Sequence, residues 1–228
     1  MDISLKRIIG YLLDILLVTL VTTFISQIKP LNPYKDKYLE AYEKYEELAK
    51  SDVDANSEEI IQVNYDIYRY RIVSSCISVV CLILYFGLFE FLSDGRTLGQ
   101  KAMKLKIVHR NTMQRAGLFN YMLRIIILNN ILLTILAMIL VLVLSPKPFY
   151  NVVYVISLLQ NGLLLLNIVM IIMRSDRRGL HDMLSNTIVV SESENIEVDE
   201  LIEEKPKKES IKEKAEKRNS KKNKKDMI

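Results

Sequence analysis

Four apolar runs constrain this chain more than any other feature: Ile8–Ile28, Ile72–Leu92, Ile125–Leu144 and Val152–Met173. Each is about 20 residues long, and at roughly 1.5 Å per residue a helix of that length crosses the hydrocarbon core of a bilayer. Half of the 228 residues are hydrophobic, but they are gathered into these runs and the remainder is strongly charged. The pattern predicts an all-α membrane protein with four transmembrane helices and the lipid bilayer as its first partner. The first run is too long for the apolar core of a secretory signal, and no A-x-A-like cleavage site follows it. It is expected to persist as the first helix.

Lysine and arginine counts set the expected orientation. The 93–124 segment carries seven basic residues and one acid, Asp94, and Arg174, Arg177 and Arg178 follow the fourth run. The 29–71 loop has seven basic residues but ten acids. The bias places both termini in the cytoplasm, with 29–71 and the short 145–151 turn outside the cell membrane. A net charge of +4 does not argue for a nucleic-acid partner. There is no tryptophan, so interface anchoring falls to Tyr, Lys and Arg. Cys76 and Cys81 lie five apart in the second run. On a helix they point about 140° apart and cannot bridge, so they read as small apolar fillers.

The outer loop is patterned. Tyr34, Tyr38, Tyr42, Tyr45 and Leu48 recur at helical spacing, and Ile60, Ile61, Asn64, Ile67 and Tyr68 resume it after a turn at 51–57. An extracytoplasmic helical hairpin over 33–71 is expected, its tyrosines packing the hairpin and facing headgroups, or capturing a partner. Asp52-x-Asp54-x-Asn56 imitates the start of a calcium loop. Ser57 stands where the loop needs glycine and Val63 where it needs the bidentate glutamate, so no calcium site is expected. The 191–228 tail has seven acids and no bases over 192–204, then eleven bases against three acids over 205–225. That composition reads as a disordered or loosely helical cytoplasmic tail. Its lysines can touch anionic lipid headgroups, at roughly 1 kcal/mol each near the surface.

Asp14 is an acid in the wrong place. It lies about two turns into the first run, where an ionised side chain costs about 2.5–3.5 kcal/mol on insertion scales. Arg7, Tyr11 and Asp14 fall at i, i+4 and i+7 and share a helix face, with Arg7 and Asp14 about 10 Å apart. Glu90, Asn129 and Asn167 land at similar depth in the other three runs, with Gln160 one heptad beyond Asn167. Two readings stay open: a hydrated pocket open to the cytoplasm with Asp14 at its centre, or interhelical glue, in which such groups contribute about 0.6 kcal/mol each.

The cytoplasmic segments add short elements. Ser93–Gly99 reads as a turn with Thr97 capping a short helix, and Lys106–His109 and Thr187–Val190 read as strands that pair into a small β-ribbon. His181-Asp182 has no companion cluster of His, Cys or Asp, so no metal is expected. No cofactor motif, nucleophile–base pair or phosphate loop is present, and the chain does not read as an enzyme.

Taken in order, Arg7, Asp14, the Gly95–Val108 stretch GRTLGQKAMKLKIV and Asp182 within LHDMLSNTIVV resemble the RDD family of small integral membrane proteins. That family takes its name from an arginine at the start of the first helix, an aspartate within it, and an aspartate near the domain's end. The resemblance covers about residues 1–190. It departs at Asn186, where the family usually has glycine, and in the outer hairpin and the lysine-rich tail. The family has no settled molecular function, and the resemblance implies transport, including cation–proton exchange, as one expectation. On that reading Asp14 titrates or contacts the cation, Arg7 holds it ionised, Asp182 completes the charge network, and a homo-oligomer thickens the wall. The alternative is a non-transporting structural or accessory membrane protein in which Arg7, Asp14 and Asp182 form a fixed salt-bridge cluster. The residues at issue are Arg7, Tyr11, Asp14, Glu90, Asn129, Asn167 and Asp182.

Overall fold

The computed structural model describes residues 2–51, 54 and 57–191. It divides into a unit Met1–Val189 and a unit Val190–Ile228, of which only Val190 and Ser191 are described. The charged tail and most of the calcium-like turn, including Asp52 and Asn56, lie outside the described residues.

Helix α1 (Ile3–Gln27) begins at Asp2, whose carboxylate accepts the Ser4 N–H at 3.1 Å. Its buried stripe is Ser4, Arg7, Gly10, Asp14, Val18 and Thr22, while Leu12, Leu16, Leu20 and Phe24 are exposed. A soluble helix does the reverse. Where the solvent is hydrocarbon, leucine faces out at no cost and the polar groups must find partners inside.

Helices α2 (Lys35–Lys50) and α3 (Glu58–Tyr70) pack as a hairpin. Ser57 caps α3 by accepting the Ile60 N–H. Tyr65 and Tyr68 of α3 stand edge-on to Phe149, at 5.6 and 5.4 Å between ring centres, and the Tyr65 hydroxyl donates to the Val141 carbonyl. Arg71 alone separates α3 from the second apolar helix, which is α4 (Ile72–Leu82), a π-helical segment Ile83–Phe89, and one closing turn, α5 (Glu90–Leu92). π-Helical turns recur at functional sites. Here the segment carries Tyr85 and is followed directly by Glu90.

The third apolar run differs from the single 125–144 helix expected from hydropathy. It starts earlier and breaks: α7 (Leu118–Leu128) and α8 (Ile131–Val143) meet at 60°. Asn130 adopts the left-handed conformation at φ 51°, which asparagine tolerates better than other non-glycine residues. Its side-chain amide donates to the Gln160 carbonyl at 3.2 Å, so the break is held from the neighbouring helix. The fourth helix, after α8, is α9 (Pro146–Met173), with proline in its first turn.

At one end of the bundle lie α6 (Leu98–Ala102), β1 (Leu105–His109), α10 (Leu180–Leu184) and β2 (Thr187–Ser191). The two strands pair antiparallel, as the β-branched runs predicted. The Arg110 N–H donates to the Asn186 carbonyl beside the ribbon. The architecture is therefore mostly helical, with three long apolar helices, or four spans if the bent pair counts as one.

Candidate functional site

The seven expected polar residues converge at the ribbon end of the bundle, but with different partners from those their spacing suggested. Arg7 does not reach Asp14. One guanidinium nitrogen of Arg7 donates to the Arg177 carbonyl and the other pairs with Asp182 Oδ2. Asp182 is fully buried, and its Oδ2 also accepts the Gly179 N–H at 3.1 Å. Arg124 Nε lies 3.2 Å from Asp182 Oδ1. Burial alone would raise the Asp182 pKa, but the Arg7 and Arg124 guanidiniums outweigh it and hold this carboxyl well below the usual range. Arg178, also buried, donates to the Thr187 and Asp182 carbonyls at 3.0 and 2.9 Å, tying the ribbon to α10.

Asp14, 1% exposed, has its own partners. Its oxygens accept the Tyr85 hydroxyl at 2.6 Å, the Thr97 hydroxyl at 2.5 Å and the Gly99 N–H at 2.7 Å. Thr97 is the N-cap of α6, closing a capping box with Gln100. The membrane acid thus fastens the start of α6 against α1. The approach is close: a Cβ on Gly99 would stand 2.8 Å from Asp14 Cγ and collide with the Gly10 carbonyl oxygen.

Glu90 is 2% exposed; Gln100 Nε2 donates to its Oε1 at 2.6 Å and Arg124 Nη1 lies 3.7 Å from the same oxygen. The Tyr11 hydroxyl donates to Asn129 Oδ1 at 2.8 Å. Asn167 donates to the Leu163 carbonyl, which turns its Oδ1 toward His181 Nδ1 at 2.7 Å. His181 is buried, and that burial pushes its pKa down to about 3 despite the neighbouring Asp182, so the imidazole is neutral.

These groups surround a cavity of about 370 Å³. Arg7, Tyr11, Asp14, Glu90 and Asn167 line it, as do Gln100, Arg124 and His181, and the rest of its wall is apolar. Asn129 joins through Tyr11, and Asp182 lies behind Arg7 and Arg124. Sequence reasoning missed Arg124 and Tyr85. Arg124 sat at the edge of an apolar run and counted as a loop charge. Because α7 begins at Leu118, Arg124 stands in the second turn of that helix. The apolar Leu118, Phe119, Tyr121 and Met122 before it were the available signal.

Long helices that present leucine outward, around a buried charged layer, define a multi-pass integral membrane protein. The chain belongs to the RDD family, whose model matches residues 4–186. No curated protein and no solved structure matches it. The salt-bridge cluster expected of the family's arginine and aspartates is present, centred on Asp182 with Arg7 and Arg124, while Asp14 takes hydroxyl and amide donors.

Proposed function

We propose that this protein binds a small ligand in the larger cavity and moves it across the cell membrane, with the ribbon end in the cytoplasm and the α2–α3 hairpin outside. The observation that carries the reading is a second cavity in line with the first. It measures about 170 Å³ and is lined by Tyr68, Arg71, Ser75, Thr134, Ser157 and Gln160 among others. Along α9 the first cavity ends at Leu164 and the second begins at Gln160, one helical turn apart. Along the broken helix they end at Leu128 and resume at Thr134.

The septum between them is the Asn129–Asn130 break with its polar contacts. Tyr11 holds Asn129, Asn130 holds the Gln160 carbonyl, and Gln160 Nε2 donates to Thr134 at 3.2 Å. Irregular backbone inside a membrane is tolerated where it is buried in protein or lines a cavity, and broken helices mark binding sites in transporters. The centre of the site shifts from Asp14, whose oxygens hold three donors, to the Glu90–Arg124 pair. Four spans make a thin wall, so the transporting form is a homo-oligomer, and the lysine-rich tail rests on anionic headgroups. The role is binding and transport, not catalysis.

The alternative, a structural membrane protein, draws support from the Arg7–Asp182 lock, which ties the start of α1 to α10. Thiol accessibility separates the two. In a background with Cys76→Ala and Cys81→Ala, Leu128→Cys and Ser157→Cys are treated with a membrane-impermeant thiol reagent from either side of sealed vesicles. The transport reading expects Leu128→Cys to react from the ribbon side and Ser157→Cys from the hairpin side. Protection of both, in folded protein, supports the structural role and sinks this proposal.

A further inference from the structure

We propose that the larger cavity takes an α-amino acid with an apolar side chain, its carboxylate on Arg124 and its ammonium on Glu90. The inference rests on the binding reading above and names the ligand class. Its starting point is an anomaly among the buried arginines. Arg7 and Arg178 each donate two hydrogen bonds. Arg124 is 7% exposed and lines the cavity, yet among the described residues its guanidinium donates none. Its two ion-pair contacts, 3.2 Å from Nε to Asp182 and 3.7 Å from Nη1 to Glu90, lack hydrogen-bond geometry, so its buried Nε has an ionic neighbour but no hydrogen bond. A guanidinium has five N–H donors in a planar fork suited to a carboxylate. Asn129 Nδ2 is a second buried donor without a hydrogen-bond partner, on a side chain that accepts from Tyr11, which lines the cavity.

The complementary acceptor is Glu90. Both of its contacts are through Oε1, which leaves Oε2 for a ligand. A free anion would meet the carboxylates of Glu90 and Asp14, and a free cation would meet Arg7 and Arg124. Discrimination by unpaired charge works against each. A zwitterion satisfies both sides at once, because its ammonium and carboxylate hang from one carbon and the acid and base to be bridged stand 3.7 Å apart. The apolar wall of Ile8, Leu12, Ile15, Leu164 and Ile168 then receives the side chain. A cavity of about 370 Å³ lies near the lower end of the roughly 300–1,000 Å³ range of ligand sites, which suits a molecule of this size.

The test is calorimetric titration of the full-length protein in lipid nanodiscs with L-leucine, L-leucinamide, 4-methylpentanoate and sodium chloride. Leucine is expected to bind, and the two analogues lacking one charge to bind about tenfold more weakly or worse. Arg124→Gln and Glu90→Gln should each lose leucine binding. Should either fail to fold, Ile168→Trp, which fills the apolar end and leaves the charges in place, should abolish it instead. Binding of leucinamide or 4-methylpentanoate as tight as that of leucine overturns the proposal, as does a cavity that responds only to sodium. So does the absence of leucine binding at millimolar concentration. Leucine binding without uptake into proteoliposomes would leave the ligand class standing and remove the transport reading. Sodium flux without leucine binding would do the opposite.

Discussion

Replacing Asp14 with alanine strands three donors inside the bundle: the Tyr85 hydroxyl, the Thr97 hydroxyl and the Gly99 N–H. Each buried donor left without an acceptor costs about 1–3 kcal/mol. The hydroxyls can rotate, but the Gly99 amide is fixed at the start of α6 and cannot. The three losses therefore sum to about 3–5 kcal/mol, below the simple total. Asp14→Asn is a milder change. Its Oδ1 still accepts from Tyr85 and Gly99, and its Nδ2 turns to Thr97, whose hydroxyl already accepts the Gln100 N–H and has a second lone pair. The Thr97 hydroxyl hydrogen loses its acceptor and the two bonds that remain are no longer to a carboxylate, about 1–3 kcal/mol together. The assay is thermal unfolding of purified protein in mild detergent, read beside wild type. The expected order is wild type, then the asparagine variant, then the alanine variant by a clear margin. An alanine variant that unfolds with wild type, or one indistinguishable from asparagine, would show that Asp14 does not anchor α6.

Gly99→Ala puts a methyl against Asp14 and the Gly10 carbonyl and should destabilise, whereas Gly162→Ala, with nothing within 4 Å, should be neutral or stabilise its helix by about 0.5–1 kcal/mol; thermal unfolding of both variants checks the pair. The His181 pKa, about 3 when folded, lies below its ordinary 6.5, so the unfolded chain binds a proton that the folded chain refuses. Stability should therefore fall as pH drops from about 6.5 toward 3, by at most about 1.4 kcal/mol per unit, with a further loss at lower pH as Asp182 protonates. His181→Gln should flatten the first part of that slope, and unfolding of the wild type that is level between pH 7 and 5 would refute it.

The long apolar helices, the hairpin helices, the Thr97 cap and the two short strands were legible because they are local. Length, apolarity, helical spacing and β-branching act over a few residues, and the solvent they imply follows from composition. The burial of Glu90 and Asn167 was legible for the same reason, since a polar group inside an apolar helix has to find partners within the bundle. The choice of partner was not. Arg7 shares a face with Asp14, seven residues away, yet it pairs with Asp182, 175 residues on. Local spacing states which groups can be near one another, and the packing of α1 against α6 and the return of α10 settle which become neighbours.

The bend at Asn129–Asn130 was equally hidden. Two asparagines in an apolar run are compatible with a straight helix until a neighbour such as the Gln160 carbonyl holds one of them in the left-handed conformation. By itself the sequence determined that this is a membrane protein with polar groups set among its apolar helices, because burial of charge in hydrocarbon is costly wherever it occurs. Only the tertiary structure decided that Asp14 is fastened, that Arg7 is locked to Asp182, and that Arg124 and Glu90 face a cavity with bonding capacity to spare. Hydrogen bonds are short and directional, so their assignment waits on the meeting of distant segments.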